Sequence, residues 1–197
     1  MAATPFIAPY LIGALTEVRV RRMLDVGCGT GVYSRIALEA NRSVHVDAID
    51  LAQEVIETAG DEFRRDGLSH RIDFHEGDVR DWIEGTSPKF DLILLMNSIY
   101  YFDPAIRVDL LRRLASALQP SGQLLVVSMT NPGSVASAHL DFMLRCQGGA
   151  ASLPSVAGLE SDLRHAGLEI ADRRQLVPTE PFVGIRARRA HRLSGEA

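Results

Sequence analysis

Lysine is nearly missing from this chain: of its 21 basic residues only Lys89 is a lysine, and arginine supplies the rest. That bias excludes nothing by itself and reads as a coding preference. Cysteine is as scarce. Cys28 and Cys146 stand far apart with no second cysteine at metal-ligand spacing. This argues against a disulfide framework and a zinc site, and it fits a reducing compartment. Long apolar runs are absent too, none approaching the ~20 residues that span a bilayer. The apolar start MAATPFIAPYLIGALTEV lacks a basic lead and is interrupted by Pro5 and Pro9, which weighs against a signal peptide. Cytoplasm is therefore the expected location, with no membrane partner. Nor is there an excess of positive charge. The formal net charge of −4 makes a general nucleic-acid partner an unfavoured expectation.

What is present is ordinary for a folded domain. The chain has 197 residues, 46% hydrophobic and 23% charged, enough for one domain over 1–197 with a sizeable core. Short strand-like runs alternate with helix-like stretches, which predicts a parallel sheet covered by helices. Pro9 suits the first turn of a helix, with Tyr10, Leu11, Ala14, Leu15 and Val18 on one face. Expected strands are Arg22 to Val26, Val44 to Asp50, Arg71 to His75, Phe90 to Met96 and Gln123 to Ser128. Phe90 to Met96 is nearly continuous apolar, as a central strand buried on both faces should be. Helices are expected over Thr30 to Ala40, around Val55 to Phe63, after Asp103-Pro104 and over Ser155 to Ala166. Pro120-Ser121-Gly122 reads as a turn, and residues 130–153 as a less regular insert. Glu169 to Val177 and Phe182 to Ala187 close the chain as a hairpin.

The segment LDVGCGTGVYS, Leu24 to Ser34, joins a strand to a helix through Gly27, Gly29 and Gly31. Glycines there allow a tight turn and a close backbone approach to a ligand. The spacing is G-x-G-x-G, and Val32 stands where the dinucleotide fingerprint needs its last glycine. No Gly-Lys-Ser/Thr follows, so a phosphate-binding loop is excluded. Asp50 ends the second strand about 20 residues further on, the ribose-reading distance; a helix cap is the equal alternative. After the third strand comes Gly77-Asp78-Val79. Asp78 can accept from an adenine amino group while Val79 faces the ring, or Asp78 is a turn aspartate. Three such features at successive strand ends point to one ligand, because open α/β sheets bind ligands at those ends.

On these residues the chain resembles the class I S-adenosylmethionine-dependent methyltransferases, from about Met23 onward. The resemblance implies an α/β, Rossmann-like three-layer sandwich with a mostly parallel seven-stranded sheet whose last strand is antiparallel. It implies that Asp25, Gly27, Cys28 and Gly29 surround the methionine portion of the cofactor. Asp50 would hold the ribose, Leu51 one side of the adenine, and Asp78 and Val79 the other. Asn97 would stand between cofactor and substrate. The cofactor would be S-adenosyl-L-methionine, leaving as S-adenosyl-L-homocysteine, with no metal. The physics agrees, since this ligand has no phosphate to neutralise and its sulfonium is positive.

The stretches NSIYYFDP and LDFMLRCQGG resemble small-molecule O-methyltransferases of secondary metabolism, where the segment after the fourth strand carries a catalytic histidine. Here Tyr100 or Tyr101 stands near that place, as a catalytic group, a pocket wall or a packing aromatic. His75, His139 and Asp141 are weaker base candidates, and Tyr10 is either a lid residue of the N-terminal helix (1–20) or core. The expected function is methyl transfer to O or N of a small molecule lying between Asn97 to Tyr101, the 130–153 insert and the N-terminal helix. The protein would act as a monomer or homodimer. Methylation of protein or RNA, or cofactor binding without methyl transfer, is the alternative. Met96-Asn97-Ser98-Ile99 lacks the prolines usual in base-methylating enzymes, and the basic run Arg186 to Arg192 reads as a solvated tail.

Overall fold

The computed structural model of the chain describes residues 3–17, 19–87, 89–147 and 150–190. Val18, the Gly148-Gly149 pair, and His191 and Arg192 of the basic run lie outside the described residues. Among the described residues seven strands form one sheet: β1 (Arg22–Val26), β2 (His45–Asp50), β3 (Ile72–Glu76), β4 (Phe90–Met96), β5 (Leu118–Met129), β6 (Leu168–Gln175) and β7 (Phe182–Arg189). Their order is β3-β2-β1-β4-β5-β7-β6. β1 to β5 run parallel, and β7 runs antiparallel to both β5 and β6. The sheet is therefore mostly parallel with its last strand reversed, as expected.

Seven α-helices of the described residues cover it: α1 (Thr4–Glu17), α2 (Val32–Ala40), α3 (Gln53–Arg65), α4 (Val79–Thr86), α5 (Pro104–Ala117), α6 (Val135–Cys146) and α7 (Val156–His165). The alternation along β4 shows why three layers form. Leu92, Leu94 and Met96 pack with α1, α2 and α3, while Ile93 and Leu95 pack on the other face with α4, α5 and α7. Buried on both faces, β4 reads as a nearly continuous apolar run, interrupted by Asp91, whose carboxylate accepts from the Arg21 and Arg22 N–H groups. No helix among the described residues is long and apolar enough to cross a membrane.

Five local expectations need correction. Of the basic run, Arg186 to Arg189 are not a solvated tail but the end of β7, with Arg186 buried and paired with Glu17 and, at 3.4 Å, with Asp172. α1 begins at Thr4, so Pro9 lies inside the helix and not in its first turn; burial of Ile7, Leu11, Ala14 and Leu15 outweighs the lost backbone bond. The helix α4 follows directly on Gly77-Asp78, with Asp78 as its N-cap. Pro120-Ser121-Gly122 is not a connecting turn but part of β5, where the pairing with β4 shifts register between Phe90 and Leu92. Gly122 is required at that irregularity, because a Cβ there would lie 2.7 Å from the Phe90 carbonyl oxygen. Finally, the 130–153 insert holds a regular helix, α6. It starts on a capping box in which Ser134 Oγ accepts from the Ser137 backbone and the Ser137 hydroxyl accepts from the Ser134 backbone. α6 buries little and leaves Val135, Phe142 and Met143 exposed, so its sequence shows no clean apolar stripe.

Candidate active site

The four strands β3, β2, β1 and β4 end at the same edge, and backbone hydrogen bonds knit their tips together. Gly27 and Cys28 N–H both donate to the Ile49 carbonyl, at 2.8 and 3.1 Å. The Asp50 carboxylate accepts from Gly29 N–H at 2.9 Å and from Ala52 N–H at 3.1 Å. The Asp50 carbonyl takes the Gly77 N–H at 3.0 Å. Asp50 therefore bridges the tips, while the N-cap position of α3 belongs to Ala52. Across the turn Ser98 Oγ donates to the Val26 carbonyl at 2.9 Å. Gly27 sits at φ +67, and a Cβ there would lie 2.7 Å from the Ser98 Cβ. The turn can close against Ser98 only without a side chain.

A cavity of about 390 Å³ opens over these tips. Gly27, Gly29, Asp50, Leu51, Asp78, Val79 and Asn97 all line it, together with Ser98, Tyr101 and Phe102. It is largely apolar, carries two carboxylates, and has no lysine or arginine in its wall. Leu51 and Tyr101 are exposed at its mouth, at 69% and 60%. Asp78 is already engaged: its carboxylate accepts from Arg80 N at 2.8 Å and from Arg80 Nη2 at 2.6 Å. The Arg80 hydrogen bond holds that carboxyl below its ordinary range.

Asp25 and Cys28 do not line the cavity. Asp25 is fully buried beneath the turn and accepts from Ser34 Oγ at 2.6 Å. Burial pushes its carboxyl up to about 6, against the Ser34 hydrogen bond, which lowers it. The Cys28 thiol is buried, raised by desolvation, and turned to the Gly29 carbonyl at 3.6 Å. It is a packing thiol, not a nucleophile.

A second cavity of about 670 Å³ lies beside the first. Its walls come from the start of α1, Val32 and Tyr33 of α2, Asn97, Tyr100, Met129, α6 and the β6–β7 connection. Asn97 is the one residue that lines both. It stands at φ +56 just past β4, its N–H donating to the Val127 carbonyl at 2.7 Å. Its amide Nδ2 donates to Tyr33 Oη at 3.2 Å, while Oδ1 is buried with no partner. Tyr100 and Tyr101 divide, with ring centroids 4.8 Å apart: Tyr100 faces the larger cavity and Tyr101 the smaller. Burial raises the phenols of Tyr33 and Tyr100, so both remain protonated near neutrality and can donate but not abstract.

The other base candidates line neither cavity. His75 Nε2 lies 3.0 Å from Asp47 Oδ1 with its ring against Trp82. His139 is exposed on α6. Asp141 accepts from Leu153 N–H and from Asn131 and Arg145, pinning the insert. Tyr10, on the buried face of α1, packs against β7 at Gly184 near Arg174 and Arg186. Sequence reasoning missed Ser98, Tyr33 and Glu180. Tyr33 was visible inside LDVGCGTGVYS, two residues past the last glycine; Glu180 had no signal, lying between two strand-like runs.

Comparison with known proteins places this geometry. A family profile described as "Methyltransferase domain" matches residues 23–122, half of the chain. A tRNA1(Val) (adenine(37)-N6)-methyltransferase from Escherichia coli is 34% identical over 93 residues, which cover 46% of this chain and 38% of that protein. An O-methyltransferase family protein from Burkholderia thailandensis superposes with TM-score 0.82 at 19% identity, over 96% of this chain and 57% of that one. The mitomycin 7-O-methyltransferase MmcR gives 0.78 at 21% identity, over 93% of this chain and 54% of that one. The chain thus spans about half the length of these structures and less of the curated relative. The structural likenesses show the shared fold, and the profile match shows the family: the chain belongs to the methyltransferase domain family, the class I S-adenosylmethionine-dependent methyltransferases.

Proposed function

We propose that this chain transfers a methyl group from S-adenosylmethionine, held in the smaller cavity, to the oxygen or nitrogen of an O–H or N–H on a small, largely apolar molecule in the larger one, the S–C bond breaking as the O–C or N–C bond forms and the acceptor's proton passing to water. The observation that carries this is the junction: two cavities meet at Asn97, which lines both. The smaller cavity suits the cofactor. A Cβ on Gly29 or Gly77 would meet nothing within 4 Å, so there is open space over the turns. Asp50 is at hand for ribose hydroxyls and Leu51, Val79 and Tyr101 for an adenine face. No cation competes with a sulfonium. When bound, the cofactor supplies an electrophilic methyl on that sulfonium.

The chain's own residues then do the positioning, which dominates an in-line displacement. The Asn97 amide, at the residue where the cavities meet, has a buried Oδ1 without a partner, an acceptor that could orient the donating O–H or N–H of the methyl acceptor once the amide turns toward it. Tyr33 takes the Nδ2 bond, so Oδ1 is the free end. Tyr100, Met129, Leu140 and Phe182 wall an apolar body and exclude water. The larger cavity also has no lysine or arginine in its wall, which disfavours a phosphodiester and supports a small molecule over RNA.

The test is incubation with methyl-labelled S-adenosylmethionine, against fractionated small-molecule extracts and, separately, bulk tRNA. Label in a small product is expected. Label in tRNA alone would replace this substrate with that of the Escherichia coli relative. Binding of S-adenosylhomocysteine without turnover on any fraction would favour a non-methylating role.

A further inference from the structure

We infer that Glu180 selects the methyl acceptor: the larger cavity takes molecules whose apolar body carries a positively charged nitrogen, and the Glu180 carboxylate pairs with it. This rests on reading the larger cavity as the acceptor site. Among the described residues Glu180 is the sole carboxylate or cation in that cavity's wall, which is otherwise largely apolar, with Phe6, Val32, Met129, Leu140, Val177 and Phe182. Its half-buried side chain also borders a neighbouring cavity that holds Arg173 and Arg174. A carboxylate facing a largely apolar cavity favours a ligand that brings a counter-charge.

The carboxylate is also held in place before anything binds. Ser134 Oγ, at the N-cap of α6, donates to Glu180 Oε2 at 2.6 Å. The next residue is clamped: the Pro181 carbonyl accepts from Thr130 N–H at 2.8 Å and from Thr130 Oγ1 at 3.0 Å. The two loops press so closely that a Cβ on Gly133 would lie 2.5 Å from the Pro181 Cβ. The nearby arginines are spent elsewhere, Arg173 on Glu160 at 3.2 Å and Arg174 on Asp172 at 3.0 Å. Among the described residues Glu180 therefore has a hydroxyl partner but no cation, and its charge is left for a ligand. Asn97 and Glu180 come from different elements, so the reacting group and the charged nitrogen are read separately.

Three probes of similar shape and different charge test this: tryptamine, 3-ethylindole and indole-3-propionate, titrated into the protein saturated with S-adenosylhomocysteine. Tryptamine is expected to bind about tenfold tighter than 3-ethylindole, and indole-3-propionate more weakly than either. Glu180→Gln keeps an acceptor for Ser134 and should preserve the melting temperature. It should erase the preference for tryptamine while leaving 3-ethylindole unchanged. Glu180→Asp should restore part of the preference, because the charge remains. Equal binding of the three probes by the wild type, binding of none, or a preference that survives Glu180→Gln overturns the inference. The affinity for S-adenosylhomocysteine is measured first and separately: its absence would sink the proposed function, whereas a normal value with no probe preference sinks only the role of Glu180.

Discussion

The two cavities that meet at Asn97 are built in opposite ways. The smaller is made at four neighbouring strand tips, largely from backbone and from residues within three positions of a strand end. Its shape follows from the sheet, since a parallel β–α unit always delivers a turn to that edge. The larger is assembled from six separated pieces: the start of α1, the start of α2, the turn after β4, the end of β5, α6 and the β6–β7 connection. Nothing about the sheet alone dictates its walls. On the proposed reading the cofactor side is generic and intolerant of change, while the acceptor side is particular to this chain and can vary without unfolding it. Substitutions of equal size should damage stability and cofactor affinity on one side, and choice of acceptor on the other.

The sharpest way to break that contrast is at the first glycine turn. Gly27→Val forces a β-branched residue into left-handed backbone and against Ser98, whose Cβ would be met at 2.7 Å. A loss of about 4 kcal/mol in urea unfolding is expected, with no measurable S-adenosylhomocysteine binding. Retained binding would mean that the turn is looser than its hydrogen bonds indicate. The next effect comes from Asp25, beneath the same turn. Its carboxyl is raised from 3.8 to about 6 by burial, so the folded chain binds more protons than the unfolded one between those values. Stability is then full below about pH 4 and falls as pH rises through about 6, by up to about 3 kcal/mol. Asp25→Asn should flatten that segment of the profile; an unchanged slope would assign it to another group. Smaller again is Asp50→Asn, which weakens the acceptor shared by Gly29 N–H and the ribose. Calorimetry should show S-adenosylhomocysteine binding reduced about thirtyfold, or about 2 kcal/mol.

The same contrast explains what the sequence disclosed. β1 to β4 were legible to within a residue or two, because β4 is apolar but for Asp91 and the others end at an aspartate or just before a glycine. Of the cofactor residues expected, those at strand tips line one cavity, since turn chemistry is local. Asp25 and Cys28 were harder: they neighbour the glycines in sequence, but a strand alternates its faces, and Asp25 points down to Ser34. The acceptor side was nearly silent. α6 is held by a Ser134 cap and by Asp141 beneath Leu153, polar contacts that leave no apolar period to read. Glu180 owes its place to a loop whose partner, Ser134, lies 46 residues away, a pairing no local pattern records.

Asn97 belongs to both sides, so it can separate them. Its φ of +56 is a conformation in which asparagine is tolerated and glycine is at ease. Asn97→Gly should leave the melting temperature unchanged or slightly higher, and S-adenosylhomocysteine affinity within about threefold, because the backbone turn relaxes without moving. Turnover on an identified acceptor should fall about tenfold or more, since the amide oxygen that orients the reacting group is gone. A variant with full turnover would reduce Asn97 to a shared wall, and the acceptor would then be oriented by Tyr33 or Tyr100. A variant that loses cofactor binding instead would place Asn97 wholly on the cofactor side, and the two cavities would no longer be joined by a working residue.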